Sequence, residues 1–436
     1  MNLPDPTAWL DVLPVGIAGV VVWVVWLYRW TLSRAYRPAV NGFRTSTSVV
    51  VPSYREDPDV LMDCLGTWLG QDPTEVIVVP DLKDVEVVAR LQEAARDDPR
   101  VTVVPFRHSG KRSALGVGIR LARGEILVLV DSDTRWAPGL LDAVQMPFVD
   151  PLVGGVSTRQ NVYGRRTSIW RLIADWIIDL RYDDYVPAMG RAGAVVCISG
   201  RTAAYRRDAV LPVLEHLEHE YFLGRRCIAG DDGRLTWLVL ASGYRTCYQS
   251  SARALSMFPD SFRAFVRQRV RWSRNSYRTY LTAFWEGWLW RAPMVAKVTV
   301  LQILFTPVTM AATLGYLVFS RTVYTPTGVV LSVGWLLAGR LVRSVSHLVR
   351  RPGDLIILPL VTLVVIFVSL PIKLYALFTL NKQGWLTRHT DRVGGEGQTA
   401  ASLRPRVPSP SGPSWEPPSE PGRPAHPVLG QGQVPG

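Results

Sequence analysis

The chain has 436 residues, enough for one large domain plus membrane segments. With 48% hydrophobic residues and a mean hydropathy of +0.12, it is high in apolar content for a soluble enzyme, and its apolar residues gather in a few runs. The formal net charge of +13 suits anionic lipid headgroups or nucleotide diphosphates; no nucleic-acid-binding motif accompanies it.

The first apolar run covers residues 13–28, with no Lys or Arg before it and Arg29, Arg34 and Arg37 after it. It lacks the basic leader of a signal peptide. The positive-inside rule places the N-terminus outside and the following chain in the cytosol. Residues 1–46 are therefore read as a transmembrane segment with a basic linker.

From residue 47 to 255 strand-like and helix-like segments alternate. Apolar runs at 48–52, 75–80, 101–105 and 126–130 are strands, and residues 110–122 have helical spacing. This predicts an α/β domain with a mostly parallel sheet covered on both faces. In such sheets ligands bind beyond the carboxyl ends of the strands. Asp81 and Asp131 each sit at such an end.

Asp131-Ser132-Asp133 offers two carboxylates that can share a divalent cation and so neutralise a diphosphate. A solvated turn is the bland alternative. Lys111 and Arg112 open a helix, where a cation is unfavourable unless an anion shares the place. They are read as phosphate contacts, against a solvated basic pair. Asp231-Asp232 precedes a helical stretch. Helix capping explains it, but so does a general base for a hydroxyl. Asp232 is taken as the base and Asp231 as its support. The four cysteines, Cys64, Cys197, Cys227 and Cys247, have neither CxxC nor zinc spacing and are read as reduced thiols on a cytosolic domain.

Residues 256–291 interleave aromatic and Arg side chains at helical spacing and read as an interfacial amphipathic helix. Within it Gln268, Arg271 and Trp272 fall on neighbouring faces. Trp272 offers a flat face to a sugar ring, and Arg271 can hold a diphosphate bidentately. Residues 292–390 hold apolar runs at 292–319, 325–341 and 355–380. The last, interrupted by Pro371 and Lys373, is read as re-entrant plus interfacial rather than fully crossing. Residues 391–436 are rich in Gly, Pro and Ser and are expected to be disordered.

Taken together, these strings resemble the processive family-two glycosyltransferases, in the branch of hyaluronan, chitin and cellulose synthases. The resemblance runs from Val49 to Arg388. It rests on residues 51–56, Asp81, Gly110-Lys111-Arg112, Asp131-Ser132-Asp133, Cys197-Ile198-Ser199-Gly200, Gly230-Asp231-Asp232, the QxxRW string at 268–272 and residues 381–388. It implies a GT-A fold and an inverting, UDP-sugar-dependent transferase using Mg2+ or Mn2+, with its catalytic domain on the cytosolic side of a multi-pass inner-membrane protein. Asp81, Lys111, Arg112, Asp131, Arg271 and Arg388 would bind the nucleotide diphosphate. Asp133 and Asp131 would hold the metal. Gln268, Trp272, Ser199 and Gly200 would meet the acceptor, a glycan or a lipid-linked sugar, among membrane lipids. Residues 381–388 are similar to the gating loop of the hyaluronan type, but read Trp-Leu-Thr-Arg rather than Trp-Gly-Thr, and fewer spans are expected than is usual for that type. A pore built from so few helices would call for a homo-oligomer. Two rivals stay open: a transferase adding one sugar to a lipid or lipid-linked acceptor, and a non-catalytic membrane scaffold.

Overall fold

The computed structural model describes residues 16–107, 110–319 and 324–382, all within one compact unit, Met1–Arg392. The expected tail at 391–436 and most of the string at 381–388 lie outside the described residues.

Four Val- and Ile-rich runs become β1 (Thr47–Ser53), β2 (Glu75–Pro80), β3 (Val101–Val103) and β4 (Ile126–Val130). They pair in parallel in the order β3-β2-β1-β4. Their side chains alternate between two cores. Val50, Ile77, Val79 and Leu129 face one, and Val49, Val51, Val78 and Val130 face the other. α1 (Gly16–Arg34) precedes this domain. α2 (Pro58–Leu69) and α3 (Val85–Asp97) cover the second core, and α4 (Lys111–Leu121) covers the first. A βαβ block buried on both faces follows directly from strands with no polar face.

The sheet then turns mixed. β5 (Thr134–Trp136), β6 (Val153–Val162), β7 (Thr202–Arg206) and β10 (Arg245–Ser256) complete the order β3-β2-β1-β4-β7-β6-β10-β5, with β8 (Tyr221–Phe222) and β9 (Arg225–Arg226) as a separate hairpin. β7 runs antiparallel to both β4 and β6, while β6 and β10 are parallel. The expected mostly parallel α/β sheet is present, with β7 and the edge strand β5 running the other way.

α5 (Ile169–Leu180) runs into a π-helical turn, Arg181–Tyr185. α6 (Asp231–Ala241) and α7 (Phe262–Trp285) follow. α8 (Met294–Phe319), with Pro307 inside it, and α9 (Pro326–Arg343) come next. The last apolar run is helical throughout: a 3-10 turn at Pro352–Ile357, α10 (Leu358–Leu363), a π turn at Val364–Val368 and α11 (Ser369–Phe378). The expected re-entrant break is therefore replaced by one continuous helical run. Pro371 lies within this run, just after the π turn at Val364–Val368. Met294–Ala312 and Pro352–Phe378 are long and apolar enough to cross a membrane.

Candidate active site

The carboxyl ends of β1 and β4 open onto a cavity of about 720 Å3. Its floor comes from the turn after β4. Thr134 donates its N–H to the Asp131 carbonyl at 3.1 Å, a turn that projects Asp131 and Asp133 into the cavity. Glu56, just past β1, also lines it and accepts the Ser132 hydroxyl at 2.8 Å.

Lys111, the first residue of α4, joins this floor to α6. Its ammonium lies 2.8 Å from Asp131 and 2.9 Å from Asp231. Burial alone would weaken that charge, but the two carboxylates outweigh it and hold Lys111 firmly protonated. The anion expected beside this helix N-terminus is thus supplied in part by the protein's own acids. A Cβ at Gly200 would approach the Lys111 Nζ to 2.9 Å, so a side chain there would press on this ammonium.

The two adjacent acids differ. Burial works against the ionised Asp231, but the Lys111 ion pair prevails and lowers its pKa. Burial, then the Asp231 charge, raises the pKa of Asp232. Asp232 accepts the Gly233 N–H at 2.8 Å and has the Cys197 thiol 3.8 Å away. Burial and the neighbouring Asp232 push that thiol up to about 12, so it stays protonated. Such an environment keeps Asp231 charged and makes Asp232 the better proton acceptor.

α7 forms the opposite wall. Gln268, Arg271 and Trp272 all line the cavity, as do Ser199 and Gly200 from the segment before β7. The Gln268 Oε1 is buried without a hydrogen-bond partner, a polar atom left for a ligand. Arg201 stacks on Phe258 at 3.8 Å and lies 5.1 Å from the Trp272 ring. Arg269 stacks on Trp272 from its other neighbours at 5.0 Å, with Nε and Nη2 unpartnered. Burial, then Arg201 and Arg181, lowers its pKa to about 9. Arg181, Arg201, Arg267 and Arg271 add positive charge to the cavity lining, which suits an anionic ligand.

Two expected residues are not brought to the cavity. Asp81 ends β2, but it is buried beneath the surface, accepts the Lys83 N–H at 2.8 Å and does not line the cavity. Arg112 points away from it. Its guanidinium donates to the Leu217, Ala229 and Gly230 carbonyls and pairs with Glu220 at 2.6 Å, leaving little for a phosphate. Its work is to clamp the Gly230 turn. Arg388 lies outside the described residues. Sequence reasoning took Glu56 only as the end of the string at 51–56 and passed over Arg181, Tyr182 and Phe258; all four line the cavity. Glu56 shares the strand-end placement that singled out Asp131. Arg181 and Tyr182 carry no such signal, because only the π turn aims them inward.

Three side chains that could ligate a metal by spacing alone, Asp175, Asp179 and His347, have donor atoms within 4.8 Å of one another, away from this cavity. Arg159, Arg165, Arg350 and Arg351 already neutralise these carboxylates, which leaves no charge for a cation. Asp131 and Asp133 fit better. They are hard oxygen donors open to a cavity, and two protein carboxylates completed by phosphate oxygens is a usual magnesium set.

A family model described as "Glycosyltransferase like family 2" matches residues 44–275. An N-acetylglucosaminyltransferase from Rhizobium leguminosarum bv. viciae is 31% identical over 369 residues, covering 81% of this chain and 85% of that protein. One from Mesorhizobium japonicum is 32% identical over 354 residues, covering 79% and 82%. A hyaluronan synthase from Streptococcus pyogenes is 27% identical over 384 residues, covering 86% and 91%. Among solved structures, a mannosyltransferase from Pyrobaculum calidifontis in complex with GDP-Man and Mn2+ superposes with a TM-score of 0.61 at 20% identity, over 85% of this chain and 99% of that one.

Proposed function

Since the chain belongs to the family-two glycosyltransferases and has their α/β GT-A type of fold, we propose that it moves a sugar with inversion from a UDP-sugar to a growing β-glycan at the cytosolic face of the inner membrane. The observation that carries this reading is the convergence of Asp131, Asp133, Asp232, Arg271 and Trp272 on one cavity. Residues that are up to about 140 positions apart meet there as one donor-and-acceptor site. Two candidate spans and the Arg-rich α7 support the membrane placement.

Asp131 and Asp133 would hold Mg2+ or Mn2+, which when bound neutralises the leaving diphosphate. Arg271 and the ammonium of Lys111 add positive charge beside it. Asp232 takes the proton from the acceptor hydroxyl as that oxygen attacks the anomeric carbon. The bond from that carbon to the diphosphate breaks on the opposite side, and UDP leaves with the electron pair. Trp272 stacks beneath the acceptor sugar, and Gln268, Ser199 and Gly200 complete its berth. The relatives named N-acetylglucosaminyltransferases make N-acetylglucosamine the first sugar to test. Arg29, Arg34 and Arg37 after the first apolar run support a cytosolic placement of the cleft.

The test incubates membranes holding the full chain with each labelled UDP-sugar, with and without Mn2+, and sizes the product. A ladder or polymer that requires metal is expected. A single added sugar selects the non-processive transferase. Absence of metal-dependent UDP binding by calorimetry selects the scaffold and rejects the enzymatic role.

A further inference from the structure

α5 and its π turn have two working faces. Ile178, Arg181 and Tyr182 face the cavity. The acids Asp175, Asp179 and Asp183, each four residues apart, point the other way, with Asp184 beside them. That second face meets the segment 344–354, which links α9 to the candidate span Pro352–Phe378.

The meeting is polar, buried and closed. His347, with no exposed surface, lies 2.9 Å from Asp179 through Nδ1 and 3.1 Å from Asp354 through Nε2. Ser346 donates to Asp184 at 2.6 Å, and Arg34 at the end of α1 donates to the same hydroxyl at 2.7 Å. The indole of Trp176 donates to Ser344 at 3.0 Å. Arg350 donates to Asp183 at 2.6 Å, and Arg351 pairs with Asp175. From the catalytic sheet, Arg159 on β6 holds Asp179 at 3.1 Å and Asp183 at 2.7 Å. None of these groups reaches the cavity, so the chemistry proposed above does not use them.

Charges buried this densely are a poor way to gain stability, since apolar packing of the same volume does as well. What they do provide is a single fixed geometry. The π turn matters here, because such turns insert one extra residue and re-aim side chains at functional sites. We infer that this network is a positioning joint. It sets the wall formed by Arg181 and Tyr182, on the acceptor side of Asp232, in register with the membrane segments. Asp179, Asp183, Ser346, His347 and Arg350 are thus positioning residues for the acceptor, acting through Arg181 and Tyr182. The inference rests on the transferase reading above. It adds that donor and acceptor are held by different parts of the molecule: the donor by the β1 and β4 ends, the acceptor by a wall fixed from the membrane side.

The experiment uses the full chain in membranes and the UDP-sugar that the wild type consumes. Sugar transferred and sugar released by hydrolysis are counted separately. Arg350→Met removes a strut at the half-exposed rim of the joint, Asp183→Asn weakens the two that meet on its mostly buried carboxylate, and Arg350→Lys keeps the charge at 350. The expected result is a transfer-to-hydrolysis ratio lowered about tenfold in Arg350→Met and Asp183→Asn, with UDP affinity within about twofold of wild type and the ratio largely restored in Arg350→Lys. An unchanged ratio overturns the joint. So does a parallel fall in UDP affinity and transfer, which marks a merely structural role. A wild type that consumes no nucleotide sugar overturns the transferase reading itself, and the joint with it.

Discussion

Asp231 and Asp232 share a peptide bond, yet their surroundings push them in opposite directions. Lys111 sits on one and not on the other. The proposed base must be ionised to accept a proton, so activity is present above its pKa and lost as pH falls through it. Because burial and then the Asp231 charge raise that pKa, the acidic limb of kcat/KM is expected above the ordinary carboxylate value of about 4. The two acids interact closely, so the limb belongs to the pair. Asp231→Asn removes the repelling charge and frees Lys111 to act on Asp232, and both changes move the limb to lower pH. A pH–rate profile of this variant that moves upward would falsify the assignment. For Asp232→Asn, UDP binding is expected to survive while transfer drops by about 10^2- to 10^4-fold, the usual worth of a general base. Calorimetry with UDP and a transfer assay on the same preparation check both halves; full turnover by the variant rejects Asp232 as the base.

α6 owes its placement to the turn that starts it. Gly230 has φ of +79°, and an added Cβ would lie 3.2 Å from Asn275 on α7. Arg112 holds the carbonyls on either side of this turn, with Glu220 as its counter-charge. Gly230→Ala is therefore expected to cost about 1–3 kcal/mol, through left-handed backbone strain. It should also lower kcat more than UDP affinity, because the Asp232 carboxylate shifts while the β4 end does not. Thermal melts and donor titrations read the two effects; equal loss of both places the base elsewhere than α6. This element also shows how far sequence could see. Asp131, Asp133, Lys111 and Asp232 were legible because each sits where a local pattern ends: an apolar strand, or the first turn of a helix. Asp81 met the same rule, but it is buried, and its bridge to Phe106 continues the pairing of that sheet edge. Arg112 was read with Lys111 as one basic pair. On a helix, however, neighbours point about 100° apart, so one enters the cavity and the other turns inward. The buried joint at Asp179 and His347 left no trace at all, because its partners are 168 positions apart and each alone looks like a surface charge.

The catalytic sheet and the apolar helices share one core. Leu127 and Leu129 of β4 belong to the same buried cluster as Val295, Ala296 and Val300 of α8 and Val361 of α10. Trp176, fully buried in that cluster, gives its indole N–H to Ser344 beyond α9. The stretch matched by the family model, residues 44–275, therefore ends inside a core rather than at its edge. Independent domains are separated by linkers that few contacts cross, and that condition fails here. A fragment of residues 44–275 would expose Trp176, Ile173 and the acids of α5 without their arginines from 350 and 351. Exposing Trp176 and Ile173 forfeits the burial of large apolar side chains, about 1.5–3 kcal/mol for each one, against a whole-domain stability of about 5–15 kcal/mol. The fragment is expected to melt without a sharp transition, to bind a hydrophobic dye and to show red-shifted tryptophan emission. The full chain in detergent should melt cooperatively. A fragment that melts sharply and binds UDP with metal as tightly as the full chain would show that the cavity stands without its membrane side, and the shared core would then be a consequence of packing rather than a condition for the site.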